Sequence, residues 1–160
     1  MGLKQNMKAN HINAVCRATI SILTTHFREE TKMLKPSVMK SSVPSDEVSV
    51  VLGVNGDVTG QIIYSVSRET AKNIIGTMMG GMMIESIDEM GWSAIQEFGN
   101  WIAGSAAIEL SKENCHIEVT PPVVNEGDTI FRSGNTFITI PLQSNLGAIR
   151  VHVSLKEKVA

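Results

Sequence analysis

The chain has little of what membrane, secreted or nucleic-acid-binding proteins need. No apolar run approaches the ~20 residues that span a bilayer, and the polar N-terminus offers no apolar stretch for a signal peptide. The net charge of −2 and the lack of any Lys/Arg run argue against a nucleic-acid surface, and the 4% aromatic content is too low for base-stacking platforms. These features predict a cytoplasmic protein that binds neither membranes nor nucleic acids.

Recognisable catalytic and cofactor motifs are also missing. The two cysteines, Cys16 and Cys115, lie far apart without metal-ligand spacing and are interpreted as free thiols in a reducing compartment. The four histidines are scattered, no Gly-rich loop is placed to hold a phosphate, and no serine or cysteine has an evident base. We therefore expect this chain to bind no metal or cofactor of its own.

Hydrophobic periodicity divides the chain into helices and strands. A first helix is predicted over residues 10–28, with Asn10 as its N-cap and Lys35-Pro36 closing the element. The following elements are a short strand at 37–39, a loop at 41–46, a hairpin of strands 48–54 and 58–66 around Asn55-Gly56-Asp57, a helix at 68–79 capped by Ser67 and ended by Gly80-Gly81, a long helix from the capping box at Ser86 to about Lys112, and strands at 116–119, 123–124, 128–132, 136–142 and 146–155.

This order predicts an α+β fold, an antiparallel-rich sheet covered on one face by about three helices. The chain also contains a faint internal echo, because each half offers a helix and then strands that end in similar segments, Gly60–Val66 and Gly147–Val153. We expect a flexible leader at residues 1–8 and a single domain at residues 9–156 with two pseudo-repeat halves. The methionines at 78, 79, 82 and 83 are interpreted as core filler near a helix end.

The long helix carries the most informative pattern in the chain. At ~100° per residue, Ser93, Glu97, Asn100 and Gly104 fall on one stripe, while Ile95, Phe98, Ile102 and Ala106 fall on another that can face a core. A carboxylate and a carboxamide at i and i+3 can meet the same external group side by side. An amide can orient a water while a carboxylate holds a cation, so this pair favours chemistry that depends on placement.

Taken alone, the pairing of Glu97 with Asn100 is weak evidence, because such pairs are common on solvated helix faces. Two details strengthen the functional interpretation. Asparagine is a poor residue for a helix interior, yet Asn100 lies in the middle of this one. The small residues Gly99, Gly104 and Ser105 also leave a low surface that another protein can approach, although the glycines can equally mark tight packing beneath the helix.

At these residues the chain resembles the CheX/CheC/FliY family of chemotaxis phosphatases. The family signature is Asp or Ser, three residues, Glu, two residues, Asn, and a proline about twenty-two residues later. Here the signature reads Ser93, Glu97 and Asn100, followed by Pro121 or Pro122, one or two residues short of the usual gap. The resemblance covers most of residues 9–155.

The resemblance implies a hydrolase that removes the aspartyl phosphate from a CheY-like response regulator in chemotaxis signalling. Asn100 would orient the attacking water, Glu97 would pair with the regulator's active-site lysine, and Ser93 with the Pro121-Pro122 step would be structural. Mg²⁺ is expected on the partner regulator. Because the first helix is read as lacking Glu and Asn at the corresponding places, the chain is expected to be a CheX-like member with one site and to form a homodimer through sheet edges.

Two alternatives stay open from the sequence. The first is a non-enzymatic module of the same fold that binds response regulators or motor components without dephosphorylating them. The second is a structural dimerisation domain in which Asn100 is a helix-packing residue, buried with Glu97 against the chain's own core.

Overall fold

The computed structural model describes residues 7–158, and its element order is three helices among ten strands. The helices are α1 (Ala9–Phe27), α2 (Arg68–Met78) and α3 (Glu89–Lys112). The strands are β1 (Lys32–Met33), β2 (Ser37–Met39), β3 (Ser42–Pro44), β4 (Val48–Gly56), β5 (Val58–Val66), β6 (Ile117–Val119), β7 (Val123–Glu126), β8 (Ile130–Arg132), β9 (Phe137–Ser144) and β10 (Gly147–Glu157). No helix within these residues has both the length and the apolar character to cross a membrane.

Eight strands form one sheet in the order β1-β9-β10-β5-β4-β6, with β2 also paired to β9 and β7 also paired to β4. Every pairing in it is antiparallel. Strands β3 and β8 form a separate antiparallel ribbon. The three helices and the mostly antiparallel sheet confirm the predicted α+β fold.

Alternation along β5 separates the two faces of the sheet. Ile62 and Tyr64 belong to the main core beneath the helices, whereas Ile63 packs on the other face with Val43 and Phe137. The β3–β8 ribbon therefore covers part of the face opposite the helices. The main core supports α3 from below and leaves its outer surface available.

The two halves of the chain are related by an approximate two-fold axis. Gly60 and Gly147 begin the echoed segments 87 residues apart, and the same offset makes Tyr64 equivalent to Val151. These two residues face each other directly in the register between β5 and β10, as a two-fold axis through this pair requires. The expected pseudo-repeat is thus visible at the centre of the sheet.

Some predicted boundaries differ from the structure. Helix α1 begins at Ala9, and Asn10 is not its cap, because the Asn10 side chain reaches Glu113 instead. Helix α3 begins at Glu89 with Asp88 as N-cap, whose Oδ1 accepts a hydrogen bond from the Gly91 amide at 2.9 Å, so the start expected at Ser86 is wrong.

A second group of differences involves elements that the sequence misplaced. The predicted loop at 41–46 contains β3, because Val43 becomes fully buried against residues distant in sequence. The first helix ends at Phe27 with Arg28 in the left-handed region, well before Lys35-Pro36. Strand β1 lies between them and was not predicted.

The predicted leader is only partly within the described residues, since residues 1–6 lie outside them. Met7 accepts a hydrogen bond at Sδ from the Leu155 amide at 3.2 Å. The Lys8 ammonium lies 2.9 Å from the Glu157 carboxylate. These contacts attach the start of α1 to the end of β10.

Candidate active site

Helix α3 presents the predicted polar stripe to solvent. Ser93, Glu97, Asn100 and Gly104 are all exposed, and the opposite stripe of Ile95, Phe98, Ile102 and Ala106 is buried. Among residues 7–158, no hydrogen bond or ion pair engages the side chain of Glu97 or Asn100. Both side chains are therefore available to an external group. The structural dimerisation alternative required Glu97 and Asn100 to be buried against the chain's own core, and both are exposed.

Glu97 carries an isolated charge. Between Met90 and Ile108, it is the one charged residue on the helix, and the neighbouring exposed positions are polar or small. An exposed carboxylate without an internal partner attracts a cation that approaches from outside. Since i and i+3 side chains lie ~5–6 Å apart at Cβ, a cation held by Glu97 also lies beside Asn100.

The glycines around Asn100 are small for two different reasons. A Cβ on Gly104 would meet nothing within 4 Å, so the absent side chain keeps the outer surface low. Gly99 is buried, and a Cβ there would lie 2.9 Å from both Pro122 Cβ and Val50 Cγ1. Open surface therefore explains Gly104, and tight packing explains Gly99.

Pro122 supports α3 directly beneath the stripe. It is buried against Gly99, and its carbonyl accepts a hydrogen bond from Gln96 Nε2 at 3.4 Å, whereas Pro121 is exposed. The proline in the motif therefore contacts the residue that precedes Asn100. This arrangement fits the structural role expected for the proline step, and of the two candidate prolines Pro122 makes the contact with α3.

The other side of Asn100 is held by aromatic contacts with α1. The Trp101 ring stacks on His26 with centroids 4.3 Å apart, and it meets Phe27 edge-on at 6.3 Å. Phe27 also meets Phe98 edge-on at 5.6 Å. Packing on both flanks fixes the position of the α3 backbone at Asn100.

Helix α1 carries the pseudo-symmetric counterpart of this stripe. The 87-residue offset relates Asn13 to Asn100 and Asn10 to Glu97, so the expectation that α1 lacks an asparagine at the corresponding place is wrong. Asn13 is exposed, but Asn10 donates to Glu113 at 3.1 Å. At the place of Gly104, Arg17 forms ion pairs with Glu109 and Glu113 at 3.0 and 3.1 Å.

The α1 counterpart therefore has the amide without the free carboxylate and without the low surface. An amide at Asn10 carries no charge to hold a cation. Arg17 also has a long side chain at the position on α1 that is equivalent to Gly104 on α3, where the surface is open. The sequence contains the signal for this relation, since the echoed segments that begin at Gly60 and Gly147 give the same 87-residue offset.

Within residues 7–158 there is no group of three His, Cys, Asp or Glu residues arranged to hold a metal ion. Both cysteines are buried and free. Burial raises the pKa of the Cys16 thiol to about 11, so little nucleophilic thiolate forms near neutral pH.

The prediction that the four methionines at the end of α2 and in the following loop fill the core is correct for two of them. Met78 and Met79 pack against the main core, but Met82 and Met83 are 60% and 88% exposed, so they are not core filler. Gly80 and Gly81 have φ values of 79° and 92°, which turn the chain out of the helix before these residues. The Gly-Gly pair was the sequence signal that the helical periodicity ends.

Comparison with known proteins places the chain in a family. Residues 48–143 match the family Chemotaxis phosphatase CheX. The chain is 34% identical over 137 residues to the CheY-P phosphatase CheX of Thermotoga maritima, an alignment that covers 85% of this chain and 88% of that protein.

Solved structures agree on the fold. The CheX protein of Desulfovibrio desulfuricans superposes with a TM-score of 0.81 at 24% identity, covering 91% of this chain and 99% of that one. A chain from a CheX-CheY-BeF₃-Mg²⁺ complex of Borrelia burgdorferi superposes with a TM-score of 0.71 at 23% identity, covering 94% of this chain and 100% of that one. The sequence match and the shared fold show that the chain belongs to the CheX family of chemotaxis phosphatases.

Proposed function

We propose that this chain hydrolyses the aspartyl phosphate of a CheY-like response regulator and so ends or resets a chemotaxis signal. The observation that carries the proposal is the exposed, unpartnered pair Glu97 and Asn100 on a helix packed from both sides. Family membership supports the reaction, since the Thermotoga relative is named as a CheY-P phosphatase.

Asn100 is assigned the placement of the attacking water. Its side-chain amide inserts into the regulator's active site and holds a water in line with the bond that breaks. The water oxygen forms a new bond to phosphorus, the bond from phosphorus to the aspartate oxygen breaks, and the water's proton leaves with inorganic phosphate. Phosphoryl transfer needs little covalent help, so fixing one water in line supplies a large share of the acceleration.

Glu97 is assigned the docking register. Its carboxylate pairs with the regulator's active-site lysine one helical turn from the water position. This pairing aligns α3 over the phosphorylated aspartate and helps to exclude bulk solvent, which strengthens the electrostatic interactions inside the joint site.

The Mg²⁺ that neutralises phosphate charge is proposed to belong to the partner. The Borrelia complex contains Mg²⁺ and BeF₃ together with CheX and CheY. Under this proposal the active centre is assembled from two proteins, one that holds the metal and phosphate and one that supplies Glu97 and Asn100.

We further propose that residues 9–156 form one domain that acts as a homodimer in the cytoplasm. The β1–β2 edge of the sheet exposes Met33, Leu34 and Val38 at 49%, 46% and 69%, which suits pairing with a second copy. The buried free thiols Cys16 and Cys115 fit a reducing compartment.

The test is the rate at which phosphate leaves purified, phosphorylated CheY-like regulators with and without this chain. We expect catalytic acceleration at substoichiometric amounts of the chain, with Mg²⁺ present for the regulator. If the chain binds the phosphorylated regulator but leaves its rate of phosphate loss unchanged, the non-enzymatic binding module replaces the phosphatase.

A further inference from the structure

We infer that Met82, Met83 and Met90 form a second docking element for the same response regulator, a methionine cluster that binds an apolar side chain flanked by Lys or Arg. This inference deepens the proposed function and rests on it. The three methionines are 60%, 88% and 69% exposed and line one surface pocket with Glu85 and Asp88. Exposed apolar side chains gathered at one place are typical of binding surfaces.

The loop that presents the cluster is held in place by its backbone. The Gly76 carbonyl accepts hydrogen bonds from the Gly81 and Met82 amides at 2.8 and 3.1 Å. A Cβ at position 76 would clash with the Met82 carbonyl oxygen, so the close approach of the loop requires glycine there. Met82 and Met83 are therefore displayed by a loop fastened onto α2, and less entropy is lost when a partner covers them.

The cluster is continuous with the proposed catalytic stripe. At ~100° per residue, Met90 lies within ~20° of Glu97 around α3, and their separation of seven positions corresponds to ~10 Å along the axis. A standard interface buries ~800 Å² on each partner, which is a patch ~30 Å across. A regulator centred on Glu97 and Asn100 therefore reaches Met90 and the loop beside it.

The four residues of the stripe include no large apolar side chain, and the exposed apolar residues at its two ends are Met90 and Ile108. Ser93, Glu97, Asn100 and Gly104 offer polar or minimal side chains, whereas binding energy in protein interfaces is concentrated in buried apolar or aromatic anchors. Methionine is flexible and polarizable, so a cluster of three can adapt to the partner's side chain. The cluster supplies the contact area that the polar stripe lacks.

Charge identifies the chemistry of the partner surface. From Met79 to Met90 the chain carries Glu85, Asp88 and Glu89 and no basic residue, and the next charge along α3 is Glu97. Lys72 of α2 lines the neighbouring pocket with Met82, Met83 and Glu85, so the acidic side of the cluster is the one towards α3. This acidic side favours a basic surface beside the partner's apolar protrusion. Glu85, Asp88 and Glu89 have the same negative charge as Glu97. One basic surface of the regulator, next to its active-site lysine, can therefore contact both the stripe and the methionine cluster.

The test measures two quantities on the full chain, KM and kcat for a phosphorylated regulator, and Kd for the same regulator activated with beryllofluoride. The variant is Met83→Ser/Met90→Ser, and the matched control is Ile130→Ser, which removes a 56% exposed apolar side chain from β8 on the opposite face. We expect KM and Kd to rise about tenfold in the double variant with kcat unchanged, because contacts made equally before and during reaction affect binding alone. Ile130→Ser should leave both unchanged.

A charge variant adds an independent measurement. Glu85→Lys should raise KM and Kd more strongly at low than at high ionic strength, since salt screens the interaction that it reverses. Each variant should have the same thermal unfolding temperature as wild type, because the altered side chains are exposed. A changed Kd then reports docking and not loss of the fold.

The outcomes separate this inference from the proposed function. If wild type binds the activated regulator without accelerating phosphate loss, the phosphatase proposal fails, and a tenfold weaker Kd in the double variant still supports the cluster. If wild type is active and the double variant keeps its KM and Kd within twofold, the cluster has no docking role. A double variant that lowers the oligomeric mass while Kd stays constant overturns the inference in favour of a second copy as occupant.

Discussion

Asn13 on α1 and Asn100 on α3 occupy equivalent exposed positions in the two halves of the fold. The sheet register places the pseudo-two-fold axis at the Tyr64–Val151 pair, and the same 87-residue offset relates the two asparagines. Their surroundings differ, because Asn100 has a free carboxylate one turn before it and Asn13 has an amide bound to Glu113. The pair provides an internal comparison of the same side chain in two environments.

Asn100→Ala should lower kcat for phosphate release by about 10²-fold or more, because the water loses the group that places it. Binding of the beryllofluoride-activated regulator should change little, and unfolding should be unaffected because the side chain is exposed. Single-turnover phosphate loss measures the first quantity and calorimetric titration the second. Asn13→Ala is the matched control and should keep full activity. Equal losses in both variants would refute the assignment of the water to Asn100.

Glu97→Ala should weaken docking and activity together. The carboxylate is the one charge on α3 between Met90 and Ile108, so its removal leaves the regulator's lysine unpaired at the interface. We expect kcat/KM to fall by about 10–100-fold, chiefly through KM, as for the loss of a hydrogen-bonded charge pair worth about 1.5–3 kcal/mol.

The control for Glu97 is Glu118→Ala, which removes an exposed carboxylate from β6, beyond the C-terminal end of α3. It should leave kcat/KM unchanged at low and high salt. A loss in Glu118→Ala equal to that in Glu97→Ala would attribute the effect to net charge, and the specific pairing with lysine would then be wrong.

Gly99→Ala and Gly104→Ala should have opposite effects on stability. The methyl at Gly99 would lie 2.9 Å from Pro122 and Val50, so we expect a net destabilisation of about 1–2 kcal/mol despite the better helix propensity of alanine. The methyl at Gly104 enters open space, and alanine should stabilise the chain by about 0.5–1 kcal/mol. Urea unfolding at pH 7 measures both.

The same two variants, Gly99→Ala and Gly104→Ala, should also differ in kcat. Displacement of α3 from Pro122 moves the neighbouring Asn100, so Gly99→Ala should also lower kcat. Gly104→Ala should retain kcat, since one methyl leaves the surface low. Normal kcat in Gly99→Ala would mean that the Pro122 contact does not position Asn100.

The sequence predicted the stripe on α3 well because its burial follows helical periodicity alone. Ile95, Phe98 and Ile102 are buried and Glu97 and Asn100 are exposed, as the angles around a helix require. The class of fold followed from the order of elements for a similar reason, since the three helices and the long strands β4, β5, β9 and β10 are each long enough to carry their own period.

The features that the sequence missed depend on competition or on distant contacts. Asp88 caps α3 in preference to Ser86, and two nearby residues of similar capping strength leave the choice to packing. Val43 becomes a strand residue only because Ile63 and Phe137 bury it. Met82 and Met83 continue an apolar run, so composition placed them in the core, whereas the turn at Gly80-Gly81 places them on the surface.

The stability of the fold should decrease between pH 6.5 and 5 because of His152. This histidine is buried on the sheet face opposite the helices, with Nδ1 2.8 Å from Thr139 Oγ1. Burial, together with the charge of Arg150, lowers the pKa of His152 to about 4. The unfolded chain therefore binds a proton below pH 6.5 that the folded chain binds only near pH 4, and acid favours unfolding in this window.

His152 should lower the free energy of unfolding by about 2 kcal/mol at pH 5 relative to pH 7. This figure follows from the difference between the ordinary pKa of histidine and the pKa of about 4 in the folded chain. Urea unfolding of wild type and His152→Gln at both pH values measures it. The variant should lose less stability on acidification, while keeping a smaller dependence from His11, whose pKa is also lowered by burial. Identical pH dependence in the two proteins would exclude His152 as the source.

Val38→Lys should convert the proposed homodimer to monomers, because it places a charge on the 69% exposed valine of β2 at one edge of the sheet. Val123→Lys is the matched control, since Val123 is 62% exposed on β7 at the opposite edge. Sedimentation velocity should give a monomer mass for the first and a dimer mass for wild type and the control. Since each chain carries its own Glu97 and Asn100, the Val38→Lys monomer should keep its phosphatase activity per chain. A monomer produced by Val123→Lys alone would move the interface to the β6–β7 edge.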